Sequence, residues 1–511
     1  MKATPRSRGE LSRRRLLGMG FGLAGLAAAG CQVKVDDDAA PRPAATVSIP
    51  DPQLELPDGD LTFRWVDSGS LKALFNEAVL EAYHEKHPNV TTDYTGQGWP
   101  TVNDTVTLGI RNGTAPDIFA MPQSVPPATA VEEGWVQPID DLIPDFDAWR
   151  EQWPADALVP GEHIFDGKVY TLPLGSSLVL SQLLIYDVAV LESAGVDPER
   201  DLGSWDQMRA AARTVTQQGG GDVFGLIIPG GQRIGRIVME LAVSAGWRSS
   251  ETIWGFDFST GEYAFDAPEI MAALEHLRAF EADGSLFPGS LTFKNDDVVG
   301  RMPNGVAGMT FHGNYYVAEW KQGSPGWEFG FAGQPPQEEG GAVFEPYQAL
   351  GNNNVWVYAD TPYPTIAADL LSYVGSVEGQ TQLVRMTSGL LQSVIPEANE
   401  AAQGFDLDPH GVKSAELARE QMRKCPIPSA RNPEVSAALV EAQTIKPDFN
   451  ELVQGVFTGD ITDAAKAFAE YNATLNRSLD ESIAEARAKG ADISRDDWVF
   501  TDWDPTQDYT A

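Results

Sequence analysis

The residues able to do chemistry in this chain are six histidines, two cysteines and a large stock of carboxylates, 73 Asp and Glu against 36 Lys and Arg. Their spacing supports few reactions. His84 and His87 share a helix face at i, i+3, but no HExxH arrangement follows, and a hydrated helix end accounts for them. No GxSxG elbow presents a serine nucleophile. Gly219-Gly220-Gly221 and Gly230-Gly231 lack the spacing of a phosphate-cradling loop and read as turns. If Cys31 is engaged elsewhere, Cys425 has no disulfide partner and no thiolate metal site, and it reads as a small buried side chain. A glycoside-cleaving enzyme needs only two carboxylates, and nothing singles out a pair among the many present. No metal or cofactor is implied.

The elements that could present a binding surface are clearer. Leu61-Thr-Phe-Arg-Trp-Val66 reads as a strand that runs into Asp67-Ser68-Gly69-Ser70, a turn and helix N-cap. A helix follows with Leu71, Leu74, Phe75, Ala78, Val79, Ala82 and Tyr83 on one face. Val90–Tyr94 is a second strand, a helix spans about 101–112 up to Gly113, and 116–120 is a third strand. This order is a βαβαβ unit with a parallel sheet, in which ligands sit beyond the C-terminal strand ends. Those ends carry Asp67 and Ser68, then Gln97 and Trp99, then Gln123. Asp67 and Ser68 suit a helix cap as well as a ligand, and Trp99 suits packing as well as stacking. Further helices are expected near 204–217, 233–246, 267–283, 364–375, 433–444 and 461–487, with strands at 223–229, 305–311 and 354–358. The aromatic, acidic segment 496–511 is expected to wrap over the body.

At 511 residues, with 42% hydrophobic residues, the chain can bury two cores. A formal net charge of -37 disfavours a nucleic-acid partner over most of the surface. Residues 1–30 hold six basic side chains and one acid, so the rest is more acidic still.

The N-terminal stretch Ser12–Cys31, SRRRLLGMGFGLAGLAAAGC, has an apolar run of 14 residues, Leu16 to Ala29, shorter than the roughly 20 that span a bilayer. Its basic start and small-residue end read as a signal peptide. Ser12-Arg13-Arg14-Arg15-Leu16-Leu17 resembles a twin-arginine export signal. Ala28-Ala29-Gly30-Cys31 resembles a lipobox, which makes Cys31 the lipidated first residue of the mature chain. Residues 32–60 carry five prolines and an Asp run, and read as an extended tether. The expectation is an anchored, extracytoplasmic protein.

The order of motifs along the body resembles the extracellular solute-binding proteins of ABC importers, in the carbohydrate-type family that includes maltose-binding protein. The residues that carry it are Gly113-Thr-Ala-Pro-Asp-Ile-Phe119, Gly134-Trp-Val-Gln-Pro-Ile-Asp-Asp-Leu142, Asp166-Gly-Lys-Val-Tyr-Thr-Leu-Pro173 and Leu184-Ile-Tyr-Asp187 through Ser204-Trp205-Asp206. Gly305-Val-Ala-Gly-Met309, Gly313-Asn-Tyr-Tyr316 and Glu378-Gly-Gln380 follow in order. The resemblance implies an α/β, two-lobe periplasmic-binding-protein-like fold with hinge crossings near Leu174-Gly175, Gln348–Gly351 and Gln392–Pro396. Lobe 1 would be 61–174 plus 350–395, and lobe 2 would be 175–349 plus 396–511. A monomer that captures a sugar between the lobes and hands it to a membrane permease is implied. Ser176 and Ser177 would offer polar contacts past the first crossing, and Tyr315 an aromatic face. Asn353, between Asn352 and Asn354, would add amide hydrogen bonds. Tyr315 and Trp254 suit core packing as well as stacking, and Asp117 suits bracing its own loop. A surface-anchored glycoside-processing enzyme and a binder of a non-sugar solute are the alternatives.

Overall fold

The computed structural model describes residues 47–49, 56, 58–69, 71–249 and 253–510. The export segment, Cys31 and most of the tether lie outside the described residues.

The strands that matter here are β1 (Leu61–Ser68), β2 (Val90–Gln97), β3 (Ile118–Ala120), β4 (Thr171–Gly175), β5 (Leu183–Asp187), β6 (Phe224–Ile227), β7 (Ala307–His312), β8 (Phe329–Ala332), β9 (Glu345–Tyr347), β10 (Asn352–Val357) and β11 (Met422–Lys424). They form two main sheets. The first runs β2-β1-β3-β10-β4, and the second runs β8-β5-β7-β6.

In the first sheet β1 pairs parallel with β2 and with β3, and β10 runs antiparallel to β3 and β4. Side chains alternate across a strand, and in β1 this sends Leu61, Phe63 and Trp65 into one apolar cluster and Val66 into another. Both faces of β1 are covered from Trp65 onward, whereas Thr62 is exposed and Arg64 half-buried on the second face of its first half. The helix α1 (Ala73–Lys86) covers one face with Phe75, Val79, Leu80 and Tyr83. Leu74, expected on that face, is 41% exposed, because the buried stripe runs through Phe75, Asn76, Val79, Leu80 and Tyr83 and leaves Leu74 outside it. The helix α2 (Trp99–Asn112) ends at Gly113 with φ 66°, the left-handed stop that glycine adopts without strain.

In the second sheet β7 pairs antiparallel with β5 and parallel with β6. Leu183 and Ile185 join the first sheet's apolar cluster, whereas Leu184, Met309 and Phe311 pack with the helices α3 (Gly230–Ser244) and α4 (Pro268–Ala282). Gly230 and Gly231, expected as a turn, form the first residues of α3. A Cβ on either would come within 2.9 Å of the Ser290–Thr292 backbone, so glycine permits the close approach. The helix expected at 433–444 is reduced to a single 3₁₀ turn and the short helix Ser436–Val440.

Two segments, 176–182 and 333–351, connect strands of the two sheets, and a third near Gln392 runs beside them; the three hydrogen-bond one another. The Ser176 N–H donates to the Gln392 carbonyl at 2.7 Å, and Ser177 Oγ donates to the Gln348 carbonyl at 2.8 Å. Gly351 turns with φ 68°, and a Cβ there would lie 2.2 Å from Pro173 Cβ. The short parallel pair β9–β11 runs beside them, and Gln348 Nε2 donates to the Pro426 carbonyl at 3.1 Å. His163 pins the middle segment. Its Nδ1 accepts from the Val159 N–H at 2.9 Å, so its Nε2–H donates to the Leu350 carbonyl at 2.8 Å. Burial holds this imidazole down to about 4, hence neutral.

The C-terminal tail does wrap the body. Trp498, Phe500 and Trp503 close a third cluster around Phe256 and Phe258. The Phe500 N–H donates to the Phe258 carbonyl at 2.6 Å, and the Tyr509 N–H donates to the Lys424 carbonyl at 2.9 Å. Among the described residues no helix is long and apolar enough to cross a membrane.

Candidate functional site

The first polar cluster stands where β1 ends. Asp67 and Ser68 are strand residues, paired with Gly96 and Gln97 of β2. They do not cap α1: Lys72 occupies the cap position, and no side chain accepts there. The strand runs two residues past its expected end because the β2 ladder continues to hold it. Asp67 is fully buried, which demands partners for its charge. It accepts from the Ser68 N–H at 2.7 Å and from Asn76 Nδ2 at 3.4 Å, and the Lys72 ammonium stands 2.7 Å away. Lys72 also donates to Ser68 Oγ at 3.4 Å and, across the sheet, to Asn353 Oδ1 at 2.6 Å. Asn353 reaches that position from a left-handed φ of 57°. Burial pushes the Asp67 carboxyl up and the Lys72 ammonium down, and each partner's charge pulls against that shift. Tyr94 closes the cluster, its hydroxyl accepting from Asn76 at 3.3 Å.

The second cluster stands where β7 and β6 end and β5 begins. Tyr315 follows β7 and is half-buried, its ring folded back over Gly313, where a Cβ would lie 1.9 Å from it. Its hydroxyl accepts a hydrogen bond from Arg233 Nη1 in the first turn of α3. Arg233 Nη2 donates to the Ser181 carbonyl at 3.4 Å, and Arg236 donates to Ser181 Oγ. Arg236 also lies 3.3 Å from Glu240 and 5.7 Å over the Trp254 ring. Tyr315 and Trp254 are thus tied to guanidinium groups, an arrangement that offers charged donors beside aromatic surface.

Other expected contacts fall elsewhere. Gln123 is exposed, with its N–H taken by Asn103 Oδ1 at 3.0 Å. Trp99 is half-buried against the cluster of Val66, Val102 and Trp356. Ser176 and Ser177 serve the crossing itself: Ser176 Oγ accepts from the Leu178 N–H at 3.0 Å, and Ser177 binds Gln348. Asp117 braces its loop, accepting from the Arg64 N–H at 2.8 Å and from Thr361 Oγ1 at 2.5 Å.

Sequence reasoning missed Lys72, Asn76, Ser181, Arg233 and Arg236. A signal for the last two was present, since two arginines at i, i+3 interrupt an otherwise apolar helix among Ile234, Ile237 and Val238.

Two α/β sheets joined by adjacent crossing segments, each sheet presenting polar groups at one end, define a two-lobe binding fold of the periplasmic type. The family profile of bacterial extracellular solute-binding proteins matches residues 68–381. The chain belongs to this family. A protein of Brucella abortus (strain 2308) described as a binding protein is 22% identical over 259 residues, which is 51% of this chain and 59% of that relative. The aligned stretch therefore spans little more than half of that relative's length. Among solved structures, the GacH receptor of Streptomyces glaucescens, described with acarbose, aligns with a TM-score of 0.62 at 17% identity over 82% of this chain and 99% of its own. A solute-binding protein of Thermotoga lettingae bound to α-D-tagatose aligns at 0.59, with 19% identity over 82% and 99% of the two chains. The cyclic α-maltosyl-1,6-maltose binding protein of Arthrobacter globiformis aligns at 0.55, with 20% identity over 83% and 99%.

Proposed function

We propose that the protein captures a sugar or oligosaccharide between its two lobes and delivers it to the permease of an ABC importer, without converting it chemically. The observation that carries this reading is the pairing of two polar clusters beside the crossings. Asp67, Lys72 and Asn353 stand at the end of one sheet, and Arg233, Tyr315 and Trp254 stand at the end of the other. Amide and guanidinium groups meet the hydroxyl rim of a sugar and aromatic faces meet its C–H patches, while the buried Asp67–Lys72 pair holds Asn353 in place. Solved relatives of the same fold are described with acarbose, tagatose and raffinose. Ligand works by stabilising the closed arrangement of a pre-existing equilibrium. We propose further that the chain acts as a monomer, that residues 1–31 direct its export, and that Cys31 carries the lipid anchor that keeps it beside its permease.

A panel of sugars at millimolar concentration tests the reading through melting temperature and Trp fluorescence. Ligand at about 100 times its Kd stabilises by about 2.7 kcal/mol, which a thermal shift resolves. Silence across the panel overturns the sugar assignment, and a product released from any sugar overturns the absence of catalysis. Fractionation of cells expressing the Cys31→Ala variant checks the anchor: the variant moves from the membrane to the soluble extracytoplasmic fraction.

A further inference from the structure

The cations of the two clusters are compensated unequally. Lys72 has Asp67 at 2.7 Å, and Arg236 has Glu240 at 3.3 Å. Arg233 is 8% exposed, and among the described residues no carboxylate lies within ion-pair distance of it. Its partners are neutral: the Tyr315 hydroxyl and, at 3.4 Å, the Ser181 carbonyl. Its Nε–H is buried and has no acceptor.

The surroundings share this sign. Arg233 lies in the first turn of α3, where the helix dipole adds positive charge. His312, at the end of β7, is fully buried, and its ring centroid is 5.7 Å from that of Tyr315. Its Nδ1 accepts from the Gly313 N–H at 2.9 Å, and its Nε2 has no partner. Burial, reinforced by the Arg233 and Arg236 charges, holds this imidazole well below its ordinary range, so it is neutral and its Nε2 carries an unused proton.

A buried guanidinium without a counter-charge is costly, and its planar fork matches a carboxylate or phosphate in a way that a lone hydroxyl does not. We propose that Arg233 is the recognition site for an anionic group on the solute, so that the captured ligand is an acidic sugar, bearing a carboxylate or a phosphate. This rests on the sugar-capture reading above and names its substrate class. The overall charge of -37 does not oppose it, because repulsion from distant surface carboxylates is screened beyond about 8 Å at physiological salt.

The test is calorimetric titration of the full chain with matched sugars: glucose, glucuronate and glucose 6-phosphate, and galactose with galacturonate. Citrate and inorganic phosphate serve as anions without a sugar. The expected result is that one acidic sugar binds at least about 10-fold tighter than its neutral counterpart, with a preference that shrinks as salt rises. The Arg233→Gln variant loses that preference, and Arg233→Lys keeps part of it with a melting temperature near that of the parent. The carboxylate and phosphate arms decide which group the site takes. Neutral sugars binding as tightly as acidic ones overturn this proposal and leave sugar capture standing. A response to citrate or phosphate with none to any sugar overturns sugar capture, and this proposal falls with it. Because the wild-type comparison alone discriminates, a variant that fails to fold does not rescue the idea.

Discussion

The Lys72 ammonium lies 2.7 Å from the Asp67 carboxylate, and the two side chains are 3% and 1% exposed. A pair so buried is held by geometry: the carboxylate has two further donors and the ammonium two further acceptors, so little of either charge is left unmet. The pair joins the end of β1 to the start of α1 and, through Asn353, to β10. It sits where the first sheet offers its polar groups.

Removing one partner strands the other. Lys72→Met leaves a buried carboxylate without its counter-charge and costs about 3–5 kcal/mol. The double variant Asp67→Asn/Lys72→Met recovers a large part of that loss, since no charge remains buried. Urea unfolding of the two singles and the double, read as a cycle, checks this. A double variant that loses the sum of the single effects refutes the coupling.

His163 makes stability depend on pH. Its folded value of about 4 lies below the ordinary 6.5, so the unfolded chain takes up the proton first as pH falls. The contribution is complete above pH 6.5 and disappears progressively toward pH 4, with a size on the order of 3 kcal/mol. Glu162, its neighbour, is pushed up to about 7 by burial and acts in the opposite sense, its stabilisation fading as pH rises through 7. The comparison is therefore between parent and His163→Gln: the difference in their melting temperatures narrows steadily from pH 7 to pH 4.

Gly351 is a single-residue constraint on the middle crossing. Alanine there carries a left-handed backbone cost of about 1–2 kcal/mol, and its Cβ meets Pro173 at 2.2 Å. Gly351→Ala is expected to lower the melting temperature and to alter sugar-induced closure, read by Trp fluorescence. Alanine at Gly113, which also has positive φ but nothing within 4 Å of a Cβ, pays the backbone cost alone.

Phe258 anchors the C-terminal tail, with ring centroids 5.8 Å from Phe500 and 5.7 Å from Trp503. Phe258→Ala empties a fully buried site and costs about 3–5 kcal/mol. Limited proteolysis provides the local readout: cleavage between 495 and 510 appears in the variant under conditions where the parent is intact.

Much of the architecture was legible in one dimension. The strand–helix alternation from Leu61 to Ala120 is dictated by apolar period and by stops such as Gly113, which are local properties of the chain. The aromatic tail announced its burial by composition, since Trp498, Phe500 and Trp503 are costly to leave in water. The motif order sufficed for the family, and the family profile matches 68–381.

The site was legible only in outline. Position at a strand end pointed to Asp67 and Ser68 but also suggested a helix cap, because N-cap residues and strand-end ligands draw on the same side chains. Ser176 and Ser177 lie at a crossing as expected, yet their hydroxyls are used by that crossing. The i, i+3 spacing marked Arg233 and Arg236 together, but nothing local showed that Arg233 is left without a counter-charge, because its neutral surroundings come from Ser181, 52 positions before it, and Tyr315, 82 positions after it.

By itself the sequence determined most of the strands and helices, and which family order they follow, because both depend largely on neighbours a few residues apart. Only the tertiary structure decided which charges are compensated. Whether Lys72, Arg236 or Arg233 meets a carboxylate depends on burial and on contacts between distant segments, and these exist only once the two sheets and their crossings are assembled.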